Sequence, residues 1–381
     1  MSNKKVYLIG GERGKYRNQN LVKFLLDQQF QVYYNNFSPN IFSDSKGIWK
    51  IFRVLIKILN AVIQFSSRIY NLLLADYVFM TAMSQDKQTE LLLAKLFKKY
   101  IITDFYLSMY DTFVNDREQT TKGSYKAKKL FRQDKNAIER AKKVFFLNKT
   151  EAKYYLGLFG QNFEGTKHKI VPLCVEQKEK CKLSYFSKKS NDTIFNICWW
   201  GSYIPLHGLE KIIDAAKVLK NEYRLNFHIH LFGNNEEKSI SYKTKIEKLE
   251  LTDVVTIHND KTFNNGKLEP YLVKDCSLVL GNFGESVKAK RVLVNKIIDG
   301  IALRAPVLTG ESIAPKEYFS HNQIFYSNNE ANSIAEKIYE ISQFDKDSIR
   351  NKVDECFEIY ELNFSIKAYE RNLKEIFRCS Y

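Results

Sequence analysis

The sequence predicts an α/β protein made of two doubly wound, Rossmann-like domains facing a central cleft. Its 381 residues exceed one ordinary domain, and 44% of them are hydrophobic, enough to fill two cores. Short apolar runs alternate with helical, charge-bearing segments along the whole chain, a pattern typical of parallel sheets covered by helices. Ligands of such sheets bind at the carboxyl ends of the strands, so we expect the site in the cleft.

The first half begins with a strand, a glycine loop, a helix and a second strand. Val6–Ile9 is a short apolar run that ends at Gly10 and Gly11, and Asn20–Gln29 carries apolar side chains on one helical face. The loop does not complete a GxGxxG pattern, so a bound dinucleotide is not predicted. We expect further strands at Gln31–Tyr34, Asp76–Met80, Tyr100–Thr103 and Lys143–Leu147, and helices at 49–74, Thr89–Lys98 and 122–143.

The predicted helix over residues 49–74 is unusually apolar. Its polar residues recur every three or four positions from Lys50 to Asn71, which confines them to one narrow stripe. Two explanations remain open for the wide apolar face. Either the helix packs on two sides, or the excess face lies in a membrane interface with Lys50, Arg53, Lys57 and Arg68 near the head groups.

The second half repeats the alternation after a polar segment. We expect strands at Ile194–Cys198, Phe227–Phe232, Val254–Ile257, Ser277–Gly281 and Pro306–Thr309, and helices at Leu209–Lys220, Val292–Ala302, Asn332–Ile341 and Ser365–Phe377. Residues 176–192 hold eight charges and few apolar side chains. The predicted organisation is therefore an N-terminal domain over 1–176, a linker over 177–192 and a C-terminal domain over 193–363, followed by a terminal helix within 364–381.

Charge is distributed unevenly along the chain. Residues 1–190 carry 34 Lys and Arg against 16 Asp and Glu, a net +18, and the remainder carries 25 against 27, a net −2. This asymmetry indicates that the first half meets an anionic surface. A coding bias toward lysine explains why the chain has many basic residues, but it does not explain why they are concentrated in the first half. We expect that surface to be a membrane, and no nucleic-acid partner.

The six cysteines and the apolar runs indicate the compartment. The cysteines form no CxxC pair and have no histidine at metal-binding spacing, so they are predicted to be free thiols in a reducing compartment. The apolar run after the first lysines is too short for a signal peptide, and no run reaches the 18 residues of a spanning helix. We therefore expect a cytoplasmic protein that associates with the inner face of the cell membrane, and no metal site or cofactor.

The segment from Gly284 to Asp299 is the strongest candidate site. Lys290, Arg291 and Lys296 bracket the predicted start of a helix, where free N–H groups also attract anions. A diphosphate requires this combination of cations and oriented amides. Asp299 lies further along the same helix and can accept hydrogen bonds from ribose hydroxyls. The alternative is a surface helix with a basic cap.

A second candidate is the loop from Trp200 to Gly208. It joins a strand to a helix and has Gly201 and Gly208 near its ends, which allows the backbone to approach a phosphate or a sugar. His207 can donate a hydrogen bond to a phosphate, although a single loop histidine is more often structural.

A third candidate follows a strand of the first half. Asp104 and Asp111 lie at the carboxyl end of the run Tyr100–Thr103, where either carboxylate can bind an acceptor hydroxyl or take its proton. Aspartates after strands are also frequent helix caps. Walker and HExxH patterns are absent.

Taken together, these segments resemble glycosyltransferase family 4 and its relatives with the GT-B fold. Trp200–Glu210 with Ile213–Ala216 resembles the first loop and helix of that family's donor domain, and Lys288–Ala302 with Pro306–Thr309 resembles its nucleotide-sugar segment. Asp104–Asp111 resembles an N-domain stretch from a bacterial branch that handles surface polysaccharides.

The resemblance implies a two-substrate arrangement. A nucleotide sugar would bind the C-terminal domain, and a saccharide or lipid-linked acceptor would bind the basic N-terminal domain, with the terminal helix crossing back to it. The implied donor-binding residues are Gly201, Tyr203, His207, Gly208, Gly233, Asn234, Lys290, Arg291, Asn295, Lys296 and Asp299. The acceptor side would include Gly10, Gly11 and Arg13, and Asp104 and Asp111 would be catalytic.

Three departures from the family pattern matter for mechanism. Arg291 and Asp299 stand where the family usually has two glutamates, His207 stands where a lysine is common, and Asp104 replaces a histidine. They bear on whether the reaction retains or inverts configuration, with retention favoured. A non-catalytic GT-B partner subunit and a nucleotide-sugar epimerase are the alternative functions.

Overall fold

The structure of the chain, a computed structural model, describes residues 4–11, 16–34, 49–187 and 193–378. These residues form two compact units. The first runs to Leu147 and includes Ala152–Val171, and the second comprises Asn148–Glu151 and the chain from Pro172 onward. Each unit contains one six-stranded parallel sheet with helices, so the predicted α/β, doubly wound fold class is confirmed.

The sheet of the first unit has the strand order β2-β1-β3-β4-β5-β6, and every neighbouring pair is parallel. Its strands are β1 (Lys5–Ile9), β2 (Gln31–Tyr33), β3 (Tyr77–Met80), β4 (Tyr100–Asp104), β5 (Lys143–Phe146) and β6 (His168–Ile170). The chain's helices up to this point are α1 (Tyr16–Asp27), α2 (Trp49–Leu74), α3 (Gln88–Leu96), α4 (Tyr125–Glu139) and α5 (Lys149–Leu158), with a π-helix at Asp111–Asp116. The strand order reverses at β1, which makes the ends of β1 and β3 the switch point of this sheet.

One face of this sheet is covered by α2, α3 and α4. The strands contribute apolar side chains that alternate along the chain, and the helices contribute the side chains that meet them. The core includes Tyr7, Ile9, Val78, Met80, Ile101 and Val144 from the strands and Leu72, Leu91, Ala94, Ala137 and Ile138 from the helices. Because the three helices bury their inner sides against the same face, their outer sides point away from the sheet together.

Helix α2 keeps an exposed apolar side. Among its described side chains Leu72 is fully buried, whereas five others are 52–63% exposed. These five are Leu59, Val62, Ile63, Tyr70 and Leu73. At 3.6 residues per turn they share an arc of about 100° on the side away from Leu72. Packing on two sides is therefore not found in the described part of this helix, and the interface explanation stays open.

The sheet of the second unit has the order β12-β11-β10-β7-β8-β9, again all parallel. Its strands are β7 (Phe195–Trp200), β8 (Phe227–Phe232), β9 (Val255–His258), β10 (Leu278–Leu280), β11 (Val307–Gly310) and β12 (Phe325–Ser327). The helices are α6 (Leu209–Glu222), α7 (Glu236–Lys248), α8 (Leu268–Asp275), α9 (Asn295–Ala302), α10 (Ile313–Lys316), α11 (Ala331–Ser342), α12 (Lys346–Asn363) and α13 (Ile366–Arg378). The order reverses between β7 and β10, so the loops after these two strands flank the switch point.

The strands predicted from apolar runs are present, and several elements were missed. Sequence patterns do not reveal β6, β12, α7, α8, α10 or α12. Helix α9 begins at Asn295 rather than at Val292.

The two units divide at Val171 and Pro172, and α13 is grouped with the second unit. The predicted domain limits and the crossing of the terminal helix stay predictions. Within the described ranges, no helix has the length and apolar character needed to cross a bilayer.

A buried ion pair ties α1 to β4. The Arg17 side chain donates to both carboxylate oxygens of Asp104, at 2.6 Å from Nε and 3.2 Å from Nη2, and Nη2 also donates to the carbonyl of Val171 at 3.0 Å. Both charged side chains are buried. Such a pair is balanced internally, and removal of one partner leaves an uncompensated charge out of water.

We therefore expect Arg17→Ala to lower the free energy of unfolding by about 3–5 kcal/mol. The double variant Arg17→Ala/Asp104→Asn removes both charges and should recover part of that loss. Urea unfolding followed by circular dichroism measures the difference. Equal losses in the single and double variants would show that the ion pair is not the cause.

Candidate functional site

The two switch-point loops of the second unit contact each other through their backbones. Gly208 has φ +63°, and a Cβ there would lie 2.5 Å from the carbonyl carbon of Phe283 and 2.7 Å from the nitrogen of Gly284. Phe283 N–H also donates to the carbonyl of His207 at 3.2 Å. A Cβ on Gly284 would likewise collide with the carbonyl of Leu206. Glycine at positions 208 and 284 thus lets the backbones of the loops after β7 and β10 lie in direct contact.

Lys296 and His207 meet beside the bare backbone of Gly201. A Cβ on Gly201, which has φ +151°, would lie 3.3 Å from Lys296 Nζ and 3.5 Å from His207 Nε2. Lys296 is on the first turn of α9, and only 3% of its side chain is exposed. Its ammonium lies 4.1 Å from the centre of the Trp199 ring and has no hydrogen-bond acceptor among the described residues.

This group of residues includes a cation that no described residue neutralises. Burial lowers the pKa of Lys296 well below its ordinary range. Burial, and secondarily the nearby Lys296, lowers the pKa of His207 to about 2, so the imidazole is neutral and able to donate one hydrogen bond. A buried, unneutralised ammonium at a helix N-terminus is suited to an anionic ligand.

Asp299 lies on the same helix within a second group of side chains. Trp200 Nε1 donates to its Oδ2 at 3.4 Å, and Lys178 Nζ lies 3.9 Å from its Oδ1 and 3.6 Å from Oε2 of Glu269. Lys178 also sits 4.0 Å from the centre of the Phe263 ring. Burial raises the pKa of Asp299 to about 6. Sequence reasoning had singled out Asp299 alone, because Lys178, Glu269 and Phe263 are distant in sequence and belong to no recognisable motif.

Tyr203 and Gly233 form a packing pair. The Tyr203 ring occupies the space where a side chain on Gly233 would project, and its hydroxyl donates to Asn259 at 2.8 Å. Gly233 is therefore required by the ring of Tyr203. Asn234 follows it and is exposed at the end of β8.

The three predicted cations of the α9 segment do not share one environment. Lys290 is exposed and Arg291 is buried, and both lie in a turn that precedes the helix. Val294 is extended, so the helix starts only after them. Asn295, the first helical residue, is exposed. Lys296 is the cation that the fold places at Gly201.

In the first unit, Gly10 also marks a switch point. Its φ is +96°, and the side chains of Thr81 and Ser84 occupy the space beside its Cα. Gly11 follows with φ +65°. Arg13 lies outside the described residues. The two loops after β1 and β3 are thus packed as closely as their counterparts in the second unit.

The two candidate carboxylates of the first unit have different partners. Both oxygens of Asp104 accept from the guanidinium of Arg17. Asp111, at the start of the π-helix, accepts at Oδ1 from the neutral donors Tyr154 Oη at 3.1 Å and Asn115 Nδ2 at 3.2 Å. Proton uptake by Asp104 therefore competes with its ion pair to Arg17.

Asp134 is a buried carboxyl group that sequence reasoning missed within the lysine-rich α4. Its Oδ2 accepts from Ser108 Oγ at 2.7 Å and from the N–H of Tyr110 at 2.8 Å, and Ser108 Oγ in turn accepts from the N–H of Asp111 at 2.9 Å. Its Oδ1 has no hydrogen-bond partner among the described residues. Burial raises the pKa of Asp134 to about 7. Asp134 thus fixes the turn that presents Asp111.

Comparisons with solved structures establish the fold, whereas no protein-family model and no curated protein matches the sequence. Sucrose-phosphate synthase from Thermosynechococcus elongatus matches with a TM-score of 0.69 and 14% identity over 99% of this chain and 98% of its own. Anabaena HepE in complex with UDP-glucose matches with a TM-score of 0.67 and 13% identity over 99% of both chains. A glycosyltransferase from Rickettsia africae ESF-5 matches with a TM-score of 0.61 and 14% identity over 100% of this chain and 99% of its own. These neighbours are GT-B glycosyltransferases, and the chain has their fold.

We expect Asp134 to make stability depend on pH. Its pKa is raised by folding, so its stabilising contribution is complete below about pH 4 and is lost as the pH rises through about 7. Asp134→Asn keeps the acceptor oxygen without the ionisation. Between pH 4 and 8 the wild type should lose roughly 3–4 kcal/mol of unfolding free energy relative to Asp134→Asn.

The matched control for this prediction is Glu139→Gln, an exposed carboxylate on the same helix. Urea unfolding of all three proteins at a series of pH values gives the comparison. A constant difference between Asp134→Asn and the wild type across this range would contradict the assignment.

Proposed function

We propose that the chain is a family 4-like glycosyltransferase that moves a hexosyl group from a nucleotide sugar to a saccharide or lipid-linked saccharide. The observation that carries the proposal is the buried ammonium of Lys296, which is aimed at the bare backbone of Gly201 beside a sheet switch point. Solved neighbours with this fold support it, since one is a sucrose-phosphate synthase and another was solved in complex with UDP-glucose.

The second unit supplies the donor chemistry in this proposal. Lys296, the N–H groups at the start of α9 and the neutral His207 hold the diphosphate, and they stabilise the charge that develops on it as the glycosyl bond breaks. Asp299, ionised at pH 7 given its pKa of about 6, accepts hydrogen bonds from the ribose hydroxyls. Phe263 and Trp200 offer aromatic surface next to that carboxylate.

The first unit supplies the acceptor side, with Gly10, Gly11 and Arg13 near the acceptor. Two chemical routes are compatible with its residues. In an inverting reaction, Asp111 is the better-placed base, because Asp104 is held by Arg17. In a retaining reaction, which the family resemblance favours, the leaving phosphate takes the acceptor's proton and no protein base is needed.

We propose the synthesis of a bacterial cell-surface polysaccharide, such as a capsule, lipopolysaccharide or exopolysaccharide, as the biological setting. The support is the resemblance of Asp104–Asp111 to that branch and the net +18 of residues 1–190, which suits an acceptor carried on an anionic leaflet. The protein would then work in the cytoplasm at the inner face of the cell membrane. We also propose that the transfer is independent of metal ions, which activity in excess EDTA would test.

A thermal-shift screen against UDP, GDP, ADP and CMP sugars tests the proposed function. A donor at 100 times its dissociation constant should stabilise the protein by about 2.7 kcal/mol. Turnover of the selected donor with membrane extract then separates a transferase from a non-catalytic partner subunit, and turnover without acceptor identifies an epimerase. If no nucleotide sugar shifts the transition or is consumed, the enzyme proposal fails.

Lys296→Met should have opposite effects on binding and on stability. Loss of a charge-assisted contact to the diphosphate should weaken nucleotide binding about 10- to 100-fold. Removal of a buried, unneutralised amine should raise the free energy of unfolding by about 1–4 kcal/mol. Calorimetric titration and urea unfolding measure the two effects. Lys248→Met, on the exposed last turn of α7, is the control and should change neither.

Nucleotide binding should be accompanied by proton uptake. Because burial lowers the pKa of Lys296, the amine loses its proton at a lower pH than usual in the free protein, and the bound diphosphate raises that pKa again. Affinity should therefore fall as the pH rises above the lowered pKa. Titrations over a series of pH values, in buffers with different ionisation heats, count the protons and locate the pH above which uptake begins. A proton count unchanged by Lys296→Met would refute this coupling.

A further inference from the structure

The outer side of the first unit combines exposed apolar and basic side chains on three neighbouring helices. On α2 the apolar side chains that are more than half exposed are Leu59, Val62, Ile63, Tyr70 and Leu73, and α3 adds the exposed Leu92 and Leu96. These two helices pack beside each other, and α3 packs beside α4. All three bury their inner sides against the same sheet face, so the apolar and basic side chains share one outward direction. We call this surface the α2–α4 face.

A groove between α3 and α4 gives the basic part of this face its shape. Its volume is about 480 Å³. Leu92 and Gln88 line it from α3, and Lys128, Lys129, Arg132 and Asn136 line it from α4. Gln88 accepts from Asn136 Nδ2 at 2.8 Å and donates to the carbonyl of Gln133 at 3.2 Å, which bridges the two helices.

The cations of the groove are available to a ligand. Lys128, Lys129 and Arg132 are exposed, and none of them forms an ion pair with a described residue. Asp86 is the acid that lines the groove, and it is paired with Lys87 at 3.0 Å. Tyr125, 85% exposed, stands at the start of α4 next to these cations. Tyrosine and basic residues bordering an apolar surface are typical of proteins that rest at a membrane interface.

We propose that the α2–α4 face docks on an anionic phospholipid membrane, with a lipid phosphate in the groove between α3 and α4 and the exposed apolar side of α2 in the interface. The proposal deepens the membrane association included in the proposed function and rests on it only for the expected location of the acceptor. Charge decides between the occupants of this face. A second copy would bring the same cations together, whereas an anionic leaflet complements them. Nucleic acid would satisfy the cations but leave the apolar side of α2 in water.

Vesicle flotation with the full chain tests this surface. The vesicles contain phosphatidylcholine alone or phosphatidylcholine with 30 mol% phosphatidylglycerol, at about 50 and 500 mM salt. We expect binding only to the anionic vesicles, weakened by salt. Lys128→Gln/Arg132→Gln should lower the partition coefficient at least tenfold, since each cation near such a surface contributes a factor of about five. Ile63→Ser should lower it as well, through loss of apolar contact.

The matched control is Lys23→Gln/Lys248→Gln, which removes two exposed lysines outside the α2–α4 face. The proposal would be overturned if both double variants lost binding equally or if Lys128→Gln/Arg132→Gln bound as the wild type does. Equal binding to neutral and anionic vesicles would overturn it too. A dimer in sedimentation analysis that Ile63→Ser dissociates, or binding of a single-stranded oligonucleotide in place of vesicles, would also overturn it. UDP binding is measured in parallel, so failure of the donor site and failure of the docking face are distinguished.

Discussion

The proposed donor site depends on one electrostatic constraint, an ammonium group kept out of water with no acid among the described residues to neutralise it. Lys296 meets this constraint because its side chain lies along the Trp199 ring and ends beside Gly201, where the absence of a Cβ leaves room. A buried charge of this kind is unfavourable in the free protein, and an anion that enters relieves it. The surrounding packing must therefore be rigid enough to hold the amine in place, and the contact between the loops after β7 and β10 provides that rigidity.

The buried aspartates of the first unit and the buried amine of Lys296 differ in how their charge is compensated. In the first unit, the buried aspartates are compensated locally: Asp104 is paired with Arg17, Asp111 accepts hydrogen bonds from Tyr154 and Asn115, and folding favours the protonated form of Asp134. In the second unit, the amine of Lys296 has no hydrogen-bond acceptor and no neutralising acid among the described residues. This difference in charge compensation agrees with the proposal that the second unit binds the more highly charged of the two substrates.

The elements that the sequence predicted well are those with strong local signals. Apolar runs bounded by glycine or charge identified the central strands, because a buried parallel strand needs apolar side chains on both faces. Short edge strands such as β6 and β12 offer only two or three consecutive apolar residues, too few for a distinct signal. The start of α9 was placed too early because Val292–Val294 are apolar and continue the pattern, although Val294 is extended. Consequently, spacing alone grouped Lys290 and Arg291 with Lys296, whereas the true start of the helix separates them.

The parts of the site that escaped prediction are those made by distant residues. Lys178, Glu269 and Phe263 reach Asp299 from a polar connecting segment and from the region around α8, and no local pattern announces such a meeting. Asp134 was hidden because its helix is rich in lysine and resembles a solvated one. Only the packing of α4 against the sheet reveals that this carboxyl group faces inward.

The contact between Gly208 and the Phe283–Gly284 backbone has a consequence for redesign of the protein. Neither loop has room for a side chain at its glycine, so neither can be lengthened or reshaped without displacing the other. In the proposed donor site, attempts to change nucleotide preference are therefore better directed at Phe263 and Lys178, whose side chains can vary while both glycines stay in place.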